Sequence, residues 1–228
     1  MKRSKSNTLY ILIAIIVVIV GYFNYSNAQI DNIKIEDVDK YTNEEFVYIN
    51  ENKADFDSKY INTNEFEEYS KLDSLGRCGT ALANLHKSMM PTEKRSSIGS
   101  VKPSGWHTVK YDIIKDKYLY NRCHLIGYQL SGENANKENL ITCTRQMNIG
   151  VMLDYENMVA EYLKKTNNHV LYMVTPVFKD DDLLAYGVHM MAYSVEDEGK
   201  GINFNIFVYN IQEGITINYH DGSSSLSK

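Results

Sequence analysis

His124 stands two residues after Arg122 inside the apolar-flanked stretch Asn121-Arg122-Cys123-His124-Leu125-Ile126-Gly127, a poor setting for a solvated imidazole. A neutral imidazole held there can take a proton from water. Asn148 offers a hard amide oxygen, and Glu156, eight residues and about two helical turns further on, offers a carboxylate near the same face. One base, one oxygen ligand and one carboxylate suffice for phosphodiester hydrolysis when a divalent ion shields the developing charge. Mg²⁺ keeps several waters, so a single Asn carbonyl can be enough protein ligand. Arg122 and Arg145 can grip non-bridging oxygens as bidentate partners. Each residue also has an ordinary reading: His124 as a hydrogen-bonded core histidine, Asn148 as a helix N-cap, Glu156 as a surface helix residue, and Trp106 and Tyr120 as core.

These residues need a strand, a loop, a second strand and a helix to bring them together. Tyr118-Leu119-Tyr120 leads into the His124 stretch as a strand, a polar loop spans 131–138, and Leu140-Ile141-Thr142 is the second strand. Met152, Tyr155, Val159, Tyr162 and Leu163 recur at helical spacing, which predicts one helix from about Met147 to Lys164 or Lys165. Strands are expected at Phe46–Ile49, Thr108–Tyr111, His169–Phe178, Leu183–Val195, Ile202–Tyr209 and Ile215–Tyr219, while periodicity leaves 70–90 undecided between strand and helix. Eighteen tyrosines against three prolines favour a sheet-containing fold. An all-helical protein, a disordered chain and a coiled coil are excluded as readings of the whole.

The net charge of -5 hides an asymmetry. Residues 70–122 carry ten basic and four acidic residues, so a polyanion would meet this block, with Lys94, Arg95 and Lys110 as candidate phosphate contacts. A basic face that is merely solvated is the plainer reading. Residues 1–28 resemble a targeting signal: Lys2, Arg3 and Lys5 precede the apolar run Leu9–Val20, and Ser26-Asn27-Ala28 suits cleavage, so a secreted product and an anchored one both stay open. Membrane contact is expected through this segment alone. An acidic tether is expected over 29–43, the domain over 44–222 and a Ser-rich tail over 223–228. Cys78, Cys123 and Cys143 allow one disulfide in any of three pairings. Their spacing does not suit zinc, and Cys123 and His124, as neighbours on a strand, face opposite ways.

Taken in order, Asn121 to Gly127, Asn139-Leu140-Ile141-Thr142, Arg145-Gln146-Met147-Asn148 and Tyr155-Glu156 resemble the DNA/RNA non-specific endonuclease family, in its secreted Gram-positive branch. The likeness runs from about Glu44 to Tyr219, through Leu72-Asp73-Ser74-Leu75-Gly76-Arg77, Met90-Pro91-Thr92 and Pro103-Ser104-Gly105-Trp106. It implies an α+β fold of the ββα-metal type, a central, mainly antiparallel sheet carrying the strand-loop-strand-helix motif. It implies His124 as general base, Asn148 as ligand of Mg²⁺ with Mn²⁺ as substitute, Glu156 as the acid that orients water on the ion, Arg122 as the motif arginine, and Asn139 and Arg145 near the substrate. Two departures stand out: the family's Asp-Arg-Gly-His has Asn121 and Cys123 in place of acid and glycine, and Cys143 falls where glycine is expected. The activity implied is exported, Mg²⁺-dependent hydrolysis of DNA, with RNA as a second substrate, leaving 5′-phosphates. A catalytically inactive DNA-binding module in DNA uptake and an exported adhesion domain are the rival classes.

Overall fold

The computed structural model describes residues 33–38 and 41–227; the expected signal or anchor at 1–28 lies outside them. Among the described residues ten strands and three α-helices follow one another: β1 (Phe46–Tyr48), β2 (Phe66–Tyr69), β3 (Ala81–Leu85), β4 (Tyr120–His124), α1 (Tyr128–Ser131), β5 (Leu140–Thr144), α2 (Arg145–Ile149), α3 (Val151–Lys165), β6 (Val170–Val177), β7 (Gly187–Ser194), β8 (Asn203–Tyr209), β9 (Ile215–Ile217) and β10 (Ser224–Leu226). Six of the strands make one sheet in the order β1-β8-β7-β6-β3-β2, every neighbour antiparallel. β4 and β5 form a separate two-stranded unit, as do β9 and β10. No helix among the described residues is long and apolar enough to cross a membrane.

Alternation along the strands decides what each sheet face covers. Ala81, Ala83 and Leu85 of β3, Val170, Tyr172 and Val174 of β6, Val188, Met190 and Ala192 of β7 and Phe204, Ile206 and Val208 of β8 all enter the largest apolar cluster. Cys123, Ile141, Cys143, Met147, Met152, Val159 and Leu163 join it from the other side, so β4, β5 and the helices lie on this face. The stretch at 70–90 that periodicity left undecided contains a buried strand, β3, between β6 and the edge strand β2.

Four expectations need correction. Ile33, Ile35 and Val38 pack with Val177, Phe207 and Tyr209, so 33–38 belongs to the domain and is not a free tether. Three apolar residues in six positions are enough to anchor an otherwise acidic stretch. Ser224–Leu226 pairs with Ile215–Ile217 and is a strand, not a tail. Thr108–Tyr111 makes a single bridge, Lys110 to Tyr118, because Tyr111 N–H turns back to the Lys117 carbonyl (2.9 Å). The helix expected from Met147 is two helices: Gly150 has φ -96 and ψ -127, and a Cβ there would lie 2.7 Å from the Gln146 carbonyl.

Candidate active site

Antiparallel pairing of β4 with β5 sets Asn121 against Cys143, Arg122 against Thr142 and His124 against Leu140. With a period of two, Arg122 and His124 share a face while Cys123 turns into the core. Cys123 and Cys143 are bridged, their Cα atoms 5.9 Å apart; Cys78 remains a free, buried thiol. The bridge therefore ties together the two strands that carry His124 and lead into α2.

His124, Arg122, Asn121, Asn148, Glu156, Arg145 and Arg95 all line one cleft of about 780 Å³, together with Trp106, Tyr118, Tyr120, Tyr128 and Gln129. His124 is 7% exposed. Its Nε2 lies 2.7 Å from the Asn134 carbonyl oxygen, which can only accept, so Nε2 carries the proton and Nδ1 holds the lone pair. Burial pushes the imidazole below its ordinary 6.5; the Asn134 carbonyl opposes this, and the nearby Arg95 guanidinium adds to it. The imidazole is thus kept neutral at neutral pH. Arg95 Nη2 sits 3.5 Å from the unprotonated Nδ1.

Glu156, on the first half of α3, is 8% exposed. Burial pushes its carboxyl up to about 8, against the opposing pulls of Arg95 and Gln129. A Cβ on Gly127 would lie 2.7 Å from Glu156 Oε2, so only glycine lets the loop after β4 close on the carboxyl. Asn148 is part-exposed in the cleft and its amide has no protein hydrogen-bond partner among the described residues. Thr144, whose hydroxyl oxygen accepts from Met147 N–H, caps α2 in its stead, so the N-cap reading of Asn148 falls. A free amide oxygen facing the same cleft as a buried carboxyl that a cation would ionise is a donor set that fits a hard divalent ion.

The arginines have separate attachments. Arg122 stacks on Trp106 at 3.9 Å and donates from Nε to the Val101 carbonyl and from Nη2 to the Gly99 carbonyl (3.0 Å), which fastens the 99–106 loop beside the cleft. Arg145 pairs with Asp116 (2.7 Å) and reaches the Asn121 Oδ1 at 3.4 Å. The Arg145 Nε and the Asn121 Nδ2 are both buried without a hydrogen-bond partner.

Three expected substrate contacts lie elsewhere. Asn139 is fully buried: its Oδ1 accepts from Ile126 N–H (2.8 Å) and its Nδ2 donates to the Ile126 carbonyl (3.0 Å), a two-sided clamp on the loop after His124. It clamps that loop and is not among the residues that line the cleft. Lys94 is exposed outside the cleft lining, and so is Lys110, whose Nζ lies 4.4 Å over the Tyr118 ring. Gln129, Tyr118 and Tyr128 were not expected in the cleft, because a short polar-aromatic helix and a turn tyrosine carry no periodic signal.

Comparison with known proteins bears on this geometry. A family model described as DNA/RNA non-specific endonuclease matches residues 57–196. A deoxyribonuclease of Streptococcus dysgalactiae subsp. equisimilis is 30% identical over 112 residues, 47% of this chain and 33% of that protein, so the match spans about a third of that relative's length. NucA from Streptococcus agalactiae, in a structure with no metal bound, is 25% identical with a TM-score of 0.73, covering 85% of this chain and 92% of that one. Its structure with a magnesium ion bound gives 26% and 0.69, covering 79% and 86%. Sda1 nuclease with a bound zinc ion is 27% identical with a TM-score of 0.69, covering 80% of this chain and 97% of the other.

Proposed function

Because the chain belongs to the DNA/RNA non-specific endonuclease family, we propose that it is a divalent-ion-dependent endonuclease that hydrolyses DNA, and RNA as a second substrate, with little sequence preference. The observation that carries this reading is the convergence in one cleft of a neutral His124 whose Nδ1 lone pair meets only the long contact from Arg95, the unengaged Asn148 amide and the buried Glu156 carboxyl. His124 Nδ1 takes the proton of the attacking water, while the Asn134 carbonyl holds the imidazole in the tautomer that can do so. Glu156 helps to orient that water from across the cleft. Asn148, with Glu156 near it, would hold Mg²⁺, or Mn²⁺ in its place. The ion, when bound, supplies positive charge against the phosphate as negative charge builds in the transition state. Arg95 offers a guanidinium to the substrate's non-bridging oxygens, and the products carry 5′-phosphates.

Little sequence preference follows when contacts go to phosphate and sugar, which carry no sequence information. Export is part of the same reading: a Cys123–Cys143 bridge suits an oxidising compartment, and residues 1–28 would deliver or anchor the protein there. Plasmid nicking by the purified protein with Mg²⁺, with and without EDTA, tests the proposal. EDTA-sensitive nicking with 5′-phosphate ends is the expected result. DNA binding without cleavage would favour the inactive DNA-binding module.

A further inference from the structure

Arg145 opens α2 three residues before Asn148, so the two are neighbours on the helix surface, with about 5–6 Å between Cβ atoms. Both line the cleft, yet the carboxylate paired with Arg145 comes from Asp116, which does not. Asp116 and Lys117 are consecutive non-glycine residues with φ of 68° in the loop between Tyr111 and Tyr118. The backbone of that loop is anchored independently of the Asp116 side chain. Ile114 is buried in an apolar cluster with Leu119 and Tyr120, Tyr111 N–H donates to the Lys117 carbonyl (2.9 Å), and Tyr118 N–H donates to the Asp116 carbonyl (2.9 Å).

That one partner leaves the guanidinium largely unmatched. Its planar fork carries five N–H donors. Nη2 meets one Asp116 oxygen at 2.7 Å, Nη1 has only a long 3.4 Å contact with Asn121 Oδ1, and Nε is buried with no hydrogen-bond partner. Asn121 Nδ2, beside it, is likewise buried and unpartnered. Donors that have already lost their water favour an anion able to accept more from the group than Asp116 does.

Resting on the nuclease reading above, we infer that Arg145, flanked by Asn121, is the seat of a nucleic-acid backbone phosphate next to the scissile one, and that Asp116 fills this seat in the free protein until the substrate displaces it. The Asp116 side chain is 59% exposed and that of Arg145 27%, and an ion pair so open to water holds weakly. A phosphodiester offers two non-bridging oxygens to the fork, a bidentate match that the single Asp116 contact does not reach. Because the loop backbone is fixed elsewhere, Asp116 can yield by rotating its side chain into solvent. One turn of α2 separates the seat from Asn148, so a phosphate gripped there sets the register of the strand against the cleft. Asp116 thereby lowers the affinity for nucleic acid without touching the groups that carry out hydrolysis.

The test is binding of the full chain to a short DNA duplex in EDTA over a range of salt concentrations. Asp116→Asn, which suits the left-handed backbone at this position, should tighten binding about 2- to 5-fold, the scale of one exposed ion pair. Arg145→Gln should weaken binding about 10-fold or more and flatten the salt dependence by about 0.9, the loss of one phosphate contact. The double variant decides. If Asp116 and the phosphate share the seat, Asp116→Asn changes nothing once Arg145 is replaced, whereas a long-range charge effect persists there. Arg145→Lys keeps the charge without the planar fork and gives a second background should the Gln variant fold poorly; there Asp116→Asn should tighten binding less than in the wild type. Equal tightening by Asp116→Asn in wild-type and Arg145-substituted proteins, or none in either, would overturn the seat. Failure of the nuclease reading shows separately, as DNA binding without EDTA-sensitive nicking.

Discussion

Replacing Glu156 with Gln should stabilise the ion-free protein while impairing its chemistry. Burial pushes this carboxyl from its ordinary 4.5 up to about 8, and it has 8% of its surface exposed. Between those two values the folded protein binds more protons than the unfolded chain, so stability falls as pH rises. The stabilising protonation is present in full below 4.5, is lost progressively, and is gone above about 8. At 1.36 kcal/mol per pH unit the gap is worth up to about 5 kcal/mol, an upper limit because water penetration and relaxation blunt desolvation. Even about 2 kcal/mol would move the melting temperature of a domain this size by roughly 4–8 °C. His124 and His189, both pushed down by burial, act with the opposite sign as pH falls, but equally in both proteins. The difference between wild type and Glu156→Gln, measured by melts in EDTA at pH 5, 7 and 8.5, isolates the one group. It should open steadily in favour of Gln as pH rises, and added Mg²⁺ should shrink it, since a cation nearby favours the ionised carboxylate. If the two proteins track within about 0.5 kcal/mol across that range, the carboxyl is not held neutral and its assigned environment is wrong.

His124→Ala should lower nicking by about 10² to 10⁴, and the acid limb of kcat/KM in the wild type should fall below 6.5, because burial favours the neutral base; a folded variant with wild-type nicking would make His124 structural. Asn148→Ala should abolish most activity with little change in melting temperature, since Thr144 and not Asn148 caps α2, and Asn148→Asp should alter the Mg²⁺ dependence; full activity with unaltered Mg²⁺ dependence in both would remove Asn148 from the site. Removing the Cys123–Cys143 bridge, which spans 20 residues, should cost about 3 kcal/mol in chemical denaturation; no loss would mean the hairpin is held by packing alone. Neutralising Lys94, Arg95 and Lys110 together should flatten the salt dependence of DNA binding by about 0.9 for each phosphate that is no longer neutralised, without changing base preference; an unaltered slope would place the basic block away from the substrate.

Much of the architecture was legible because burial leaves a periodic trace. β6, β7 and β8 stand where long apolar runs predicted strands, their outer residues trimmed. The misreadings have local causes. Gly150 interrupts an apolar pattern that runs straight through it, so periodicity joined two helices into one. Thr108–Tyr111 has the composition of a strand but lies where the backbone folds back on itself, and composition does not report whether a partner strand is present. Asn139 sits in the right motif with the right chemistry for a substrate contact. An amide that both donates and accepts serves equally well to clamp a backbone, and burial alone separates the two uses.

The departures from the family's motif make sense together, as they could not singly. Glycines are expected at two positions, and cysteines occupy both, Cys123 on β4 and Cys143 on β5, where they bridge the hairpin that carries His124. The odd cysteine count is then one bridge plus a buried thiol, Cys78. Asn121 stands where the motif has an acid, and the missing charge would matter if that side chain oriented His124. Here the imidazole is held by the Asn134 carbonyl, while the Asn121 Oδ1 faces Arg145. The carboxylate that balances this arginine comes from Asp116, 2.7 Å away, so a neutral residue at 121 leaves Arg145 paired and leaves the tautomer of His124 untouched.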